Sequence, residues 1–177
     1  MVSDPATASA DQGPALLALY DEALPEVYGY LLHRCGDEGT AEDLTSETFM
    51  AAVDGVQRGR IPDLTVAWLI GVARRKLVDH WRAKARDERK LAAVEADPRL
   101  TAEVDDWDAT VDAVVAHDVL ADLGPHHRAA LTLRYLDGLP VPSVAGHLGR
   151  TIHATEALLV RARIAFRNEY GERTPDA

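Results

Sequence analysis

Residues 66–91 read VAWLIGVARRKLVDHWRAKARDERKL, and their spacing decides the fold. Val66, Leu69, Ile70, Ala73, Leu77 and Trp81 recur at helical steps and form one apolar stripe. Arg75, Arg82, Arg86 and Arg89 fall on another face at similar steps. This is the pattern of a helix with one side turned to a core and the other side cationic.

Upstream, Leu16, Leu17, Tyr20, Leu24, Val27, Tyr28, Leu31 and Leu32 keep helical spacing, with Pro25 inside the pattern. Proline lacks a backbone N–H and clashes with the preceding turn, so two helices with a break at Leu24–Pro25 are expected. Cys35-Gly36-Asp37 ends the second, and Thr40 with Asp43 resembles a capping box opening the next. That helix carries Leu44, Thr48, Ala51, Ala52 and Gly55 on one face, and a loop from Gly55 to Thr65 containing Pro62 follows it.

Downstream, residues 92–110 hold Pro98 and many carboxylates with little periodicity, the pattern of a linker. Helical patterns resume at about 111–123, at about 125–136 behind Pro125, at about 141–148 and at about 152–169. No stretch keeps a strand period long enough to compete. The expected fold is therefore all-α, with two helical domains of four helices each joined by a flexible acidic linker. The expected boundaries are a disordered arm over 1–13, a first domain over 14–91, the linker over 92–110, a second domain over 111–170 and a tail over 171–177. The shortness of that tail leaves no expectation of a further C-terminal domain.

Composition narrows the function. The 177 residues are 47% hydrophobic and 27% charged, ordinary for a globular protein, and no run approaches a membrane span. With no secretory-type N-terminus, the expected location is cytoplasmic, without membrane insertion. The single Cys35 excludes an internal disulfide and a cysteine-based zinc site. A net charge of −10 argues at first against nucleic acid, yet the charge is segregated. Residues 72–90 carry 8 basic and 3 acidic side chains, and residues 124–170 carry 6 and 3. The intervening and preceding segments are strongly acidic, so two basic islands with separate partners are expected.

Each island has a chemical reading. Pro142 to Thr151 joins two helical patterns through Gly149, with small Ala145 allowing close crossing and Leu148 facing a core. This is the spacing of a DNA-reading helix-turn-helix or of an ordinary helical hairpin. Arg161, Arg163 and Arg167 along the following helix could reach phosphates or form a solvated face. The island at 74–90 places Trp81, with Trp68 upstream, beside cations, as single-strand capture requires, although such tryptophans are more often core. Asp43 and Glu47 share a helix face and read as a surface acidic patch rather than an acid/base pair. No histidine pair with metal spacing, phosphate loop or nucleophile elbow is present, so no enzyme activity, metal or cofactor is expected.

Residues 41–49 (AEDLTSETF), Ala67-Trp68-Leu69, Val72-Ala73-Arg74 and Asp79-His80-Trp81-Arg82 resemble region 2 of extracytoplasmic-function (ECF) sigma factors. Residues 131–139 (LTLRYLDGL), Val144-Ala145, Leu148-Gly149 and Arg161-Ala162-Arg163 resemble region 4 of the same family. The resemblance covers roughly residues 14–90 and 115–170, with both blocks in the family's order. It implies an alternative sigma factor that binds core RNA polymerase and directs promoter recognition, melting and transcription initiation. Asp43, Leu44, Glu47 and Phe49 would then contact polymerase, and Arg74, Arg75, Asp79, Arg82 and Arg86 the minus-10 element. The Gly55–Thr65 loop would lie near a captured base. Arg150, Thr151, His153, Ala154, Glu156, Ala157 and Arg161 would contact the minus-35 element. An anti-sigma factor, often membrane-anchored in the family, is a further implied partner.

The chain departs from the family at two places. Glu156 and Leu158 stand where cations are usual, which implies a changed minus-35 sequence or weaker binding there. Arg75 replaces the usual asparagine, so the fine minus-10 preference does not carry over. A free-standing helix-turn-helix regulator, a sigma-like decoy and a small all-α enzyme built on Asp43 and Glu47 are the competing readings.

Overall fold

The computed structural model describes residues 12–61, 63–91 and 113–174. The expected acidic linker and nearly all of the expected N-terminal arm lie outside the described residues, as does Pro62, and the side chain of Arg89 is likewise not described. Every regular element among the described residues is helical. The chain divides into two compact units, Met1–Leu77 and Val78–Ala177.

The first unit begins with α1, Gln12–Cys35, a single helix that runs through Pro25. The expected break is therefore absent, and the described residues of the first half hold three helices in place of the four expected. Proline inside a helix costs about 3 kcal/mol or more. Against it stand Leu16, Ala23, Val27 and Leu31, all buried along one stripe. Each fully buried Val or Leu side chain contributes about 1.5–3 kcal/mol, so the stripe outweighs the lost hydrogen bond. The helix α2, Glu38–Gln57, packs against α1. It opens on Asp37, whose carboxylate accepts from the Thr40 N–H at 2.7 Å. Asp37 thus takes the role expected of Thr40, because its extended backbone aims the carboxylate at the free N–H groups of the first turn. The buried Thr45 and Thr48 hydroxyls donate to the carbonyls of Ala41 and Leu44, each at 2.7 Å, so no polar group on the buried face is stranded.

At the end of α2 the chain folds back on itself. Arg60 N–H donates to the Gly55 carbonyl at 3.0 Å, and Ile61, 3% exposed, lies over Gly55. A Cβ at Gly55 would sit 2.9 Å from Ile61 Cδ1 and 3.0 Å from its Cγ1, inside any normal contact. The same point is 3.9 Å from the Trp68 ring, so α2, the loop and the next helix converge on a residue without a side chain. That helix, α3, spans Val66–Leu91 and is opened by Thr65, whose hydroxyl accepts from the Trp68 N–H at 3.2 Å.

The second unit contains α4 (Ala113–Asp122), α5 (Pro125–Leu131), α6 (Val141–Leu148) and α7 (Ile152–Arg173). Val119, Leu123, Leu131, Ala162 and Phe166 form its core, with α4, α5 and α6 all packed on α7. Arg128 donates to the carbonyls of Leu120 and Leu123, capping the end of α4 with a cation. Arg173 pairs with Asp122, joining the far end of α7 to that of α4. The expected helix over 125–136 changes character midway: Thr132–Leu136 is a turn of π-helix, closed by Asp137 N–H donating to the Thr132 carbonyl at 3.0 Å. The wider turn leaves Leu133 buried and Tyr135 and Leu136 exposed.

The contact at Gly55 predicts a coupling. Gly55→Ala gains about 1 kcal/mol of helix propensity but forces overpacking worth about 1–3 kcal/mol, so the expected result is a net loss. Ile61→Val alone should cost about 0.5–1.5 kcal/mol, and the double variant should be more stable than the sum of the two single effects. Urea unfolding of the four proteins checks this, and strict additivity would contradict the contact.

Candidate promoter and polymerase surfaces

Two surfaces on α2 lie side by side. Tyr20, Leu24, Pro25 and Tyr28 of α1 and Glu42, Thr45, Ser46, Phe49, Met50 and Val53 of α2 line an apolar groove of about 630 Å³. Met50 is 67% exposed, and the Tyr20 and Phe49 rings meet at 4.8 Å along the groove. Burial, with Glu38 and Glu42 adding their charge, raises the Tyr28 hydroxyl above its ordinary pKa, which marks one rim as acidic. On the adjoining face, Asp43, Glu47 and Asp54 share a stripe by helical geometry. Glu47 pairs with Lys76 of α3 at 3.1 Å, and Asp54 pairs with Arg58 and Arg60, while Asp43 is exposed.

The residues expected at a polymerase contact therefore separate. Asp43 and Glu47 are on the surface, and Phe49, although it lines the groove floor, is buried at 9% exposure. Leu44 is only 4% exposed and faces the core, because it falls on the same side as Ala41, Thr48 and Ala52; its expected partner contact is corrected to a packing role. Tyr20, Tyr28, Met50 and Val53 were not singled out by the sequence. Tyr20 and Tyr28 belong to the helical pattern that continues through Pro25, and Met50 and Val53 are apolar residues on the outer side of α2.

On α3 the cationic row is present. Arg75 and Arg86 are exposed, Arg74 and Arg82 half-buried, and Arg82 lies 3.7 Å from Asp79 one turn earlier. Trp81 is 2% exposed, which fits the core reading and leaves no free ring face for a base. Trp68 is half-buried.

In the second unit, α6 and α7 are joined by Gly149 and Arg150. Gly149 adopts the left-handed conformation at φ 62, closing α6, and Thr151 opens α7 by accepting from the Ala154 N–H at 3.2 Å. A short helix, a left-handed glycine and a long capped helix are the geometry of a helix-turn-helix. Ile152, His153 and Glu156 are exposed on the first turns of α7, with Arg150, Ala154, Ala157 and Arg161 half-buried. Leu158 is 3% exposed and packed inward, so it reads no base, and only Glu156 of the two departures faces outward. Thr151 contributes its hydroxyl to the cap. Burial, with the Arg161 charge beside it, lowers the His127 pKa below its ordinary 6.5.

Residues 19–87 match the family model for sigma-70 region 2. The ECF RNA polymerase sigma factor SigL of Mycobacterium tuberculosis is 30% identical over 145 residues, covering 80% of this chain and 81% of SigL. The chain belongs to the ECF sigma factor family. BldN of Streptomyces coelicolor, another ECF sigma factor, is 32% identical over 164 residues, which are 88% of this chain but 60% of BldN. Among solved structures, the sigma factor RpoE of Bartonella quintana, crystallised with the anti-sigma factor NepR, superposes with a TM-score of 0.51. It covers 85% of this chain and 92% of RpoE at 20% identity, a likeness of fold. Among the described residues, no helix is long and apolar enough to cross a membrane.

His127 gives this ECF sigma factor a pH signature. Its folded pKa lies below the unfolded value of 6.5, so the unfolded chain takes up the proton first. Stability is full above about pH 6.5 and falls as the pH drops from there toward the folded pKa. Thermal melts between about pH 5 and about pH 8 should show this fall, and His127→Gln should reduce it. An unchanged slope in the variant would contradict the assignment.

Proposed function

We propose a division of labour among these surfaces in transcription initiation. The groove between α1 and α2, with Asp43 and Glu47 beside it, docks core RNA polymerase. Met50 and Tyr20 supply exposed apolar area over the buried Phe49 ring, and the carboxylates supply register and steering more than raw affinity. The cationic row Arg74, Arg75, Arg82 and Arg86 on α3, with Asp79, then holds the melted strand of the minus-10 element. Extruding a base costs a few kcal/mol, which phosphate neutralisation and base contacts on the polymerase-bound complex offset.

The start of α7 enters the major groove at the minus-35 element. Arg150, His153, Glu156 and Arg161 face the DNA, Thr151 fixes the helix start, and Ala154 and Ala157 permit close approach. Glu156 accepts from a cytosine amino group, a contact that discriminates by about 1–3 kcal/mol. A carboxylate also repels phosphate, so minus-35 binding is weaker than a cation in its place would give. Catalysis stays with the polymerase, and this chain needs no cofactor. Its expected location is the cytoplasm, where an anti-sigma factor would hold it inactive; the matched RpoE was crystallised with such a partner.

The observation that carries the reading is the row of arginines along α3, with Arg75 and Arg86 exposed and Arg74 and Arg82 half-buried, in a chain whose net charge is −10. Such a concentration of arginine along one helix suits contacts to phosphate. Run-off transcription from a randomised promoter library, using bacterial core polymerase with and without the protein, tests it. Protein-dependent transcripts should share a two-part upstream sequence with a cytosine in the minus-35 half. Glu156→Ala should relax the preference at that position. Polymerase binding without transcripts would favour the decoy, and a palindromic footprint without polymerase would favour a free-standing regulator.

A further inference from the structure

The groove between α1 and α2 holds the one exposed sulfur among the described residues. The chain has three sulfur-bearing residues, Met1, Cys35 and Met50. Met1 lies outside the described residues, and Cys35, at the end of α1, is buried at 7% exposure. Met50 is 67% exposed and lines the groove beside Phe49 and Val53. Helical phase puts it there. Phe49, Ala52 and Val56 turn toward the core, whereas Ser46, Met50 and Val53, at steps of four and three, run along the outer edge of α2. A methionine at such a place has two properties at once. Its unbranched, polarisable side chain adapts to the contour of a partner surface. Its sulfur is also the atom that an oxidant converts to a sulfoxide, which turns a flexible apolar side chain into a polar one.

We infer that Met50 is a site of reversible oxidation by peroxide, and that the sulfoxide form docks poorly on core polymerase. The inference rests on the docking reading of the groove. In the forward step the sulfur lone pair attacks one peroxide oxygen and the O–O bond breaks. The sulfur gives up two electrons, the attacked oxygen stays on it, and the proton of that oxygen passes to the departing hydroxide, which leaves as water. In the reverse step a methionine sulfoxide reductase, with a dithiol as reductant, releases the oxygen as water and leaves a disulfide. Glu42 on the groove lining leaves the approach open to a neutral peroxide and repels an anionic oxidant.

Docking takes the groove out of water, so a sulfoxide oxygen there must give up its hydrogen bonds from solvent. The Thr45 hydroxyl in the lining is already committed to the Ala41 carbonyl. Burial of a polar group without a partner weakens binding by about tenfold or more. Docking also covers the same sulfur, so peroxide acts on the unbound chain and core polymerase protects it.

The experiment treats the full chain with hydrogen peroxide, removes the oxidant with catalase and titrates the product against untreated bacterial core polymerase. Peptide mass spectrometry reports which residue has gained an oxygen, and a thermal melt reports whether the chain stays folded. The treated chain should carry the oxygen at Met50, stay folded, bind core about tenfold or more weakly, and recover after reductases that act on both sulfoxide epimers. Met50→Leu, which keeps Met1 and Cys35, should show the same core affinity before and after peroxide, whatever its starting value. Met50→Gln, which places a polar group there without oxidant, should bind weakly from the start. In preformed holoenzyme Met50 should gain oxygen more slowly than in the free chain. No oxygen at Met50, full core affinity with the sulfoxide present, an equal loss in Met50→Leu, or unfolding of the treated chain overturns the inference. Slow oxidation in holoenzyme would in those cases still uphold the docking reading. Equal oxidation rates at Met50 in holoenzyme and free chain overturn the docking reading together with this one.

Discussion

Gly55 is the point on which the first unit turns. Because it has no side chain, Ile61 can lie where a Cβ would otherwise be, and the Trp68 ring approaches the same spot. That contact fixes where the chain leaves α2 and seats Ile61 in the core while Arg58, Gly59 and Arg60 stay exposed. It also sets where Thr65 can cap α3. Both ends of the loop are thereby set by packing. A larger residue at position 55 would displace Ile61, which at 3% exposed has nowhere open to go.

Charge follows from the same geometry. The α2 helix carries Asp43, Glu47 and Asp54 on one stripe, and two of these are engaged by cations from the following segment: Lys76 on Glu47, and Arg58 with Arg60 on Asp54. Such exposed pairs are worth at most about 1 kcal/mol each, so their value lies in orientation more than in stability. Asp43, and Glu42 on the groove lining, stay exposed beside them, and the pairs orient cations on the loop and on α3. An acidic chain can in this way keep an acidic face on α2 and a cationic face on α3 without the two fully neutralising each other.

Much of this was legible before the structure. The amphipathic pattern of residues 66–91 gives α3 and its cationic row, and Gly149 gives the turn between α6 and α7, whereas the cap by Thr151 emerged only from the structure. What was not legible depends on tertiary energetics. Pro25 reads as a break, and only the burial of Val27 and Leu31 against α2 keeps α1 continuous. Thr40 reads as a cap, yet the extended backbone at Asp37 aims a closer carboxylate at the same N–H groups. The π-turn at Thr132–Leu136 has no sequence period of its own. Leu44 and Leu158 occupy positions that the family resemblance marks as functional, and helical phase turns both inward. The groove escaped notice because four of its ten lining residues sit on the helix that Pro25 was expected to divide.

The central claim is that polymerase docking and strand capture reside on different surfaces of one chain. The most direct test measures core-polymerase affinity and open-complex formation on the same two variants, Asp43→Arg and Arg82→Ala. Asp43→Arg should weaken core binding, with melting normal once polymerase is saturated. Arg82→Ala should bind core as the wild type does and melt promoters poorly. Equal loss of core affinity in both variants, with open-complex formation untouched in either, would contradict the account.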